Sequence, residues 1–193
     1  MSNPKVKINK TENLSSNWYK LDKVDFNYQL KNGHWQHQSR ECYDRGDGAA
    51  ILLYNPIKKT VILTKQFRMP SYLNGNSDGM MIEVCAGLLD DDDPLTCIRQ
   101  EAEEETGYEI KNPVKVFEIY STPGAVTEKI HYFIAVYSNE MKIGEGGGLE
   151  EETEEIEVLE LDFEKALSMI FTGEICDAKT IILLQYAQIN KLI

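Results

Sequence analysis

Short apolar blocks recur along the first two-thirds of the chain and again near residue 160, and polar or glycine-containing turns separate them. Blocks of this length, rich in β-branched and aromatic residues, are typical of strands. They predict strands at residues 24–30, 34–43, 47–55, 60–68, 81–85, 114–121, 129–137 and 156–161. Asn32-Gly33, between the first two strands, is a hairpin turn signal and predicts an N-terminal β-hairpin region.

Apolar residues change to a helical spacing in three segments. The first follows Asp93, which can cap a helix, and stops before Gly107, a residue that commonly ends one. Two more helices are predicted at residues 162–171 and 178–190. A β-rich first part, one central helix and helices at the end together predict an α+β fold in which helices cover a mixed sheet.

The length of 193 residues suits one substantial domain, residues 46–193, with the N-terminal β region, residues 1–45, appended to it. An isolated hairpin is only marginally stable in water. We therefore expect residues 1–45 to pack on the main domain or on a second subunit.

The composition excludes several classes of protein. A net charge of −12 argues against nucleic acid and anionic membranes as partners, and an anionic substrate would need cations at its site. No run of 18 apolar residues is present, and the first residues lack the apolar segment of a signal peptide, so we expect neither a transmembrane helix nor a leader.

The cysteines carry no metal-binding or disulfide spacing. They predict reduced, mostly buried thiols and a cytoplasmic location. The four residues concerned are Cys42, Cys85, Cys97 and Cys176.

Three carboxylates crowd one turn of the central predicted helix: Glu101, Glu104 and Glu105. Like charges at this spacing destabilise a helix by a few tenths of a kcal/mol, roughly, so an offsetting ligand is expected. Mg²⁺ is the natural candidate because it prefers carboxylate oxygen and keeps open positions for substrate phosphates. The alternative is a solvated acidic face with no ligand.

Residues 86–108, AGLLDDDDPLTCIRQEAEEETGY, resemble the signature of the Nudix hydrolases, G-x5-E-x7-R-E-U-x-E-E-x-G-U, where U is a bulky apolar residue. The second half matches in order from Glu101 to Tyr108. The first half departs, since Ala86 and Asp92 take the first Gly and Glu positions and Gln100 takes the Arg position. The resemblance implies an α/β/α sandwich around a mixed sheet.

It also implies Mg²⁺-dependent hydrolysis of a phosphoanhydride bond in a nucleoside diphosphate derivative. Two or three Mg²⁺ ions are expected, for which Mn²⁺ can substitute. Glu101, Glu105 and the Ala86 carbonyl are the first-choice ligands, and Glu104 is a weaker one. In sugar-nucleotide members a glutamate on a late flexible loop binds metal or takes the proton, and here Glu154 is chosen from GGGLEEETEEIEV.

The resemblance extends over nearly the whole chain, through RECYDRGDGAAILLYN, KQFR, EVCAGLLD, STPGAVTE and DAKT, to the GDP-mannose and ADP-ribose pyrophosphatase branch. It implies a domain-swapped homodimer in which N-terminal residues of one subunit help form the nucleotide site of the other. The substrate-binding residues carried over are Trp18, Ser39, Arg40, Glu41, Arg68, Ala86, Gly87, Leu88, Glu128, Thr153, Glu154 and Lys179.

Several functions remain open at this point. The first is cleavage of GDP-mannose to GMP and mannose 1-phosphate, and its rival within the same class is cleavage of ADP-ribose or another sugar nucleotide. A non-catalytic nucleotide-binding regulator would be expected to have lost its metal carboxylates. A generic acidic cation-binding protein would explain the charge but not the order of residues from Ala86 to Tyr108.

Overall fold

The computed structural model describes residues 3–149 and 155–193. The chain divides into two compact units. The first consists of Met1–Asp47 and Tyr120–Lys129, and the second of Gly48–Ile119 and Ile130–Ile193.

The first unit contains a three-stranded antiparallel meander. Its strands are β1 (Val6–Ser16), β2 (Lys20–Gln29) and β3 (Trp35–Asp44), paired in chain order. The loop that follows residue 120 joins this unit through the end of β3, since the Tyr43 N–H donates to the Ala125 carbonyl at 2.8 Å and the Thr127 N–H to the Tyr43 carbonyl at 2.9 Å. The predicted hairpin corresponds to β2 and β3, and β1 was not predicted.

The second unit is built on a seven-stranded mixed sheet, in the order β10-β5-β4-β9-β8, with β6 beside β5 and β7 beside β4. The pairing of β4 with β9 is parallel, whereas β4 with β5 and β7, and β5 with β6 and β10, pair antiparallel. The strands are β4 (Gly48–Asn55), β5 (Thr60–Phe67), β6 (Met80–Glu83), β7 (Cys85–Leu88), β8 (Val114–Tyr120), β9 (Lys129–Val136) and β10 (Glu157–Asp162).

Helices cover both faces of this sheet. Helix α2 (Pro94–Thr106) covers one face, and α3 (Phe163–Thr172) and α4 (Ala178–Ile189) cover the other. The short helix α1 (Met69–Leu73) has no buried residue. Alternation along β4 explains the two cores: Ile51 and Leu53 pack with Ile98 and Ala102 of α2, whereas Leu52 packs on the opposite face with Leu167 of α3 and Leu183 of α4. A strand covered on both faces reads as a continuous apolar run, as AAILL does.

This arrangement confirms the α+β class and the α/β/α sandwich. It also brings α2 and the start of α4 to the strands that carry Arg68, Glu83 and Ala86. In the described part of the chain, none of the helices has the length and apolar character that a membrane-spanning segment needs.

Candidate active site

The acidic helix α2 begins and ends where the sequence predicted. The Asp93 carboxylate accepts hydrogen bonds from the N–H groups of Leu95 and Thr96 at 3.0 and 3.2 Å. Gly107 ends the helix in the left-handed conformation, with φ of 75°, and a Cβ there would overlap the Gly144 carbonyl. These two caps fix the register of the three glutamates between them.

Two of those glutamates meet β7. Glu105 is buried, and its carboxylate accepts a hydrogen bond from the Ala86 N–H at 3.3 Å. The half-buried Glu101 side chain lies against Gly87 so closely that a Cβ at position 87 would overlap its carboxylate. Glu101, Glu105, Ala86 and Gly87 therefore come together at one place, as the sequence predicted, although their roles stay predictions.

The neighbouring Leu88 and Cys97 complete the contact between β7 and α2. The Cys97 thiol donates to the Leu88 carbonyl at 3.2 Å. Burial, followed by the charges of Glu101 and the acidic loop before the helix, raises the pKa of Cys97 to about 12. The carboxylates thus create a negative field at this end of the helix, which a bound cation would offset.

A second charged cluster lies at the end of β6 and was not found from the sequence. Glu83 is only 4% exposed, and its two oxygens accept from Arg68 Nε at 3.0 Å and Arg68 Nη2 at 3.2 Å. Lys179 Nζ lies 3.3 Å from Oε2 of the same carboxylate and 2.7 Å from Asp177. The predicted substrate-binding residues Arg68 and Lys179 are therefore held by one buried carboxylate.

The pKa shifts of this cluster show which interactions dominate. Burial alone would raise the pKa of Glu83, but Lys179 and Arg68 outweigh it and the pKa is lowered. For Arg68, burial works to lower the pKa, whereas the hydrogen bond and charge of Glu83, followed by the charge of Glu105, raise it. The influence of Glu105 on Arg68 links this cluster to the carboxylates of α2. Glu83 was detectable as the one charged residue in the apolar run MMIEVCAGLL.

The remaining described candidates belong to the first unit. Trp18 is 84% exposed and its ring centroid lies 6.2 Å from that of Tyr19. Ser39, Arg40 and Glu41 are consecutive on β3, so Arg40 points to the opposite face from the other two. The Arg40 guanidinium donates to the Ser39 carbonyl at 2.7 Å and to the Gln38 side chain at 3.2 Å.

Arg40 also lines a cavity of about 620 Å³ within this unit. The other lining residues are Cys42, Tyr120, Pro123, Gly124, Ala125, Val126 and Thr127. Glu128, at the end of the same loop, forms an ion pair with Arg45 at 3.3 Å. The first unit therefore holds an exposed aromatic ring, a basic residue at a cavity and a carboxylate.

Two family models divide the chain between them. Residues 5–43 match the GDP-mannose pyrophosphatase NudK N-terminal domain, and residues 44–181 match the NUDIX domain. The chain belongs to the Nudix family. The family expected from residues 86–108 is therefore confirmed.

Three relatives resemble this Nudix protein along almost its whole length, and each is named GDP-mannose pyrophosphatase. The protein from Escherichia coli is 52% identical over 188 residues, which cover 97% of both chains. That from Yersinia enterocolitica is 53% identical over 189 residues and 98% of both chains. That from Salmonella typhimurium is 51% identical over 187 residues and 97% of both chains.

The Nudix signature departs from its usual form at the Arg position, and the structure shows what the residues there do. Gln100 is exposed, and the Arg99 guanidinium donates to the Lys111 carbonyl at 3.0 Å, beyond the end of α2. Arg68, from the end of β5, is the cation whose pKa the Glu105 charge raises. The charge of Glu105 thus acts on a cation that follows β5, outside the helix.

Nudix hydrolases generally use divalent cations such as Mg²⁺. Among residues 3–149 and 155–193, no group of three or more His, Cys, Asp and Glu side chains is arranged to hold a metal ion. The donors gathered at Ala86, Glu101 and Glu105 are nevertheless the hard oxygen ligands that Mg²⁺ prefers. Two further predicted residues lie outside the described residues: Thr153, a substrate contact, and Glu154, a metal ligand and substrate contact.

Proposed function

We propose that this Nudix protein hydrolyses the pyrophosphate bond of GDP-mannose to give GMP and mannose 1-phosphate. The observation that carries the proposal is the meeting of Glu101 and Glu105 with Ala86 and Gly87, beside the cations Arg68 and Lys179. Relatives that share about half of its residues over nearly the full chain bear the name of this activity. Together these point to chemistry on a nucleotide sugar.

The α2 carboxylates would hold the metal. Glu101, Glu105, the Ala86 carbonyl and Glu154 are the proposed ligands of two or three Mg²⁺ ions, with Mn²⁺ as a possible substitute. Bound there, the cation would neutralise phosphate oxygens and favour ionisation of the attacking water. Glu154 would accept the proton of that water. Glu105 would keep its place through the Ala86 N–H, which fixes one carboxylate oxygen at 3.3 Å.

The cations and the first unit would bind the rest of the substrate. Arg68 and Lys179 would contact phosphate or sugar oxygens, because guanidinium and ammonium groups donate to such oxygens. Contacts from the backbone and loops are proposed for Gly87, Leu88, Glu128 and Thr153. In a domain-swapped homodimer, Trp18 would lie against the nucleotide, and Ser39, Arg40 and Glu41 would contact it from the partner subunit. The free thiols of all four cysteines favour a cytoplasmic location.

The activity is tested by incubating the protein and Mg²⁺ with GDP-mannose, ADP-ribose and ADP-glucose and separating the products by ion-exchange chromatography. We expect GMP and mannose 1-phosphate, with the highest kcat/KM on GDP-mannose. Comparable kcat/KM values on all three substrates would contradict the proposed specificity, and release of no nucleotide monophosphate would contradict the activity.

Glu105→Gln tests the metal assignment in the same assay. The amide keeps an oxygen for the Ala86 N–H but is a poor Mg²⁺ ligand, so kcat/KM should fall by on the order of 100-fold. Glu103→Gln is the matched control, because Glu103 is an exposed glutamate of the same helix and loses the same charge. The control should keep the kcat/KM of wild type. If Glu105→Gln kept it as well, Glu105 would not be a ligand.

A further inference from the structure

The buried carboxylate of Glu83 lies between the two cations of the proposed site, and the mechanism above gives it no task. We propose that Glu83 is a positioning residue, which holds Arg68 and Lys179 in the orientation that meets the diphosphate of the nucleotide sugar. This inference rests on the proposed function, and it adds a residue that acts on the substrate only through its two partners.

The contact between Glu83 and Arg68 fixes the orientation of the guanidinium plane. Oε1 accepts from Nε at 3.0 Å and Oε2 from Nη2 at 3.2 Å, so the pair is bidentate. Two parallel hydrogen bonds define direction as well as distance, and they use two of the five N–H donors that a guanidinium carries. The Arg68 side chain is 41% exposed whereas that of Glu83 is 5% exposed, so the carboxylate anchors the cation from the protein side.

Lys179 is held by the same carboxylate and by the start of α4. Its Nζ lies 3.3 Å from Oε2 of Glu83 and 2.7 Å from Oδ1 of Asp177. Asp177 also accepts from the Thr180 N–H at 2.9 Å and thereby caps α4. The Val84 N–H donates to the Thr180 hydroxyl at 2.8 Å. The strand that carries Glu83 and the helix that carries Lys179 are thus joined twice.

The charge of Glu83 can act on substrate binding in two opposite ways. Two cations this close to one another repel, and a carboxylate between them removes the repulsion at close range. The same carboxylate could instead compete with substrate phosphates for the two cations. The two possibilities predict opposite results when Glu83 loses its charge: weaker binding if it positions the cations, and tighter binding if it competes.

Glu83→Gln separates them. The amide has nearly the same shape, but it carries only one acceptor oxygen and turns an NH₂ donor toward a cation. We expect the KM for GDP-mannose to rise roughly 10-fold, within the range known for residues that orient a ligand-binding group, with kcat within about 3-fold of wild type. The Mg²⁺ concentration for half-maximal activity should not change. An unchanged or lower KM would overturn the proposal.

Glu160→Gln is the matched control for the loss of an ion-paired carboxylate. The Glu160 carboxylate accepts hydrogen bonds from Lys58 at 2.9 Å and from the Tyr137 hydroxyl at 2.8 Å. On β10 it lies opposite Ile62 of β5, near the end of that strand that is farther from Arg68. Its KM for GDP-mannose should stay at the wild-type value. Should Glu83→Gln fail to fold, Glu83→Asp keeps the charge on a shorter side chain, and a raised KM is again expected.

A double-mutant cycle shows whether Glu83 acts through Arg68. In an Arg68→Ala background, Glu83→Gln should raise the KM by about 3-fold rather than 10-fold, because Lys179 is then the only one of the two cations left for it to position. Full additivity of the two changes would overturn the positioning role.

Isothermal titration of GDP-mannose in EDTA separates this proposal from the proposed function, since it measures binding without turnover. Wild-type protein that binds GDP-mannose but never cleaves it with Mg²⁺ would contradict the proposed function alone. Equal dissociation constants for wild type and Glu83→Gln would contradict the positioning role alone.

Discussion

Gly87 shows how much one missing side chain decides at this site. It lies on β7 in register with Ala49 of β4, and the Glu101 carboxylate occupies the space that a Cβ would take. The φ of Gly87 is not positive, so the glycine is needed for the close approach of Glu101 rather than for a left-handed backbone. Ala86, one residue earlier, has a Cβ on the other face of the strand and can hold the buried Glu105 through its N–H.

Gly87→Ala should displace the Glu101 carboxylate and leave the fold in place. We expect the Mg²⁺ concentration for half-maximal activity to rise about 10-fold or more, because Glu101, a proposed ligand, leaves its position. A Mg²⁺ titration of GDP-mannose hydrolysis measures this, and circular dichroism reports whether the fold is retained. A half-maximal Mg²⁺ concentration equal to that of wild type would show that Glu101 does not need this space.

Residue by residue, the sequence could predict contacts that follow from local spacing. Glu101 and Glu105 share a helix face because they are four apart. The one strand predicted at residues 81–85 is two strands in the structure, β6 and β7, so β7 was not predicted as a separate element. Glu83 escaped prediction because its partners Arg68 and Lys179 come from β5 and α4, which are distant along the chain. Such a cluster depends on tertiary packing, for which local spacing carries no information.

At the scale of the element, α2 owes its position to its two ends. Its glutamates repel one another, and its apolar residues Ile98 and Ala102 pack beneath the sheet. The Asp93 cap satisfies two N–H groups and also accepts from the Thr96 hydroxyl at 2.6 Å. The cap therefore contributes both helix stability and the register that brings Glu101 to Gly87.

Asp93→Ala should lower the free energy of unfolding by about 1 kcal/mol, the usual effect of removing an N-cap side chain. Asp91→Ala is the matched control, because Asp91 is an exposed aspartate in the preceding turn. Urea denaturation followed by circular dichroism measures both. Equal losses in the two variants would show that negative charge before the helix, rather than the cap, is what stabilises it.

Elements without a strong pattern were missed. The strand β1, VKINKTENLSS, is polar and nearly all of its residues are exposed, so no alternation of apolar and polar residues marks it. The short helix α1 follows Arg68 and has no buried residue. Backbone hydrogen bonds define both elements, but almost no side chain of either is buried. The buried strands and the capped helices were predicted because burial imposes a pattern on their sequences.

For the whole molecule, the swapped homodimer makes a prediction that no single-chain arrangement shares. The test uses two variants: Arg40→Ala changes the first unit, and Glu105→Gln changes the second. If each site combines the first unit of one subunit with the second unit of the other, a mixed dimer of the two variants contains one intact site. Equal amounts of the two nearly inactive variants are mixed and allowed to exchange subunits by mild denaturation and refolding. About half of the dimers are then mixed, with one of their two sites intact, so the mixture should regain about a quarter of wild-type activity.

The measurement is GDP-mannose hydrolysis at a concentration below the wild-type KM, before and after reassortment. Each variant refolded alone is the control. No recovery in the mixture would mean that each site lies within one chain, and full activity of Arg40→Ala alone would show that Arg40 does not bind substrate.

The parallel pairing of β4 with β9 joins segments that lie far apart along the chain. Asn55, at the end of β4, donates its side-chain amide to the Tyr137 carbonyl 82 residues later. Pairing of such distant segments must first overcome the entropy of closing a long loop, which slows folding. Within the β1–β3 meander, by contrast, each strand pairs with the next one along the chain. During synthesis, the strands of the N-terminal sheet are therefore made one after another, whereas α2 is made before β9, the strand that completes the sheet beneath it.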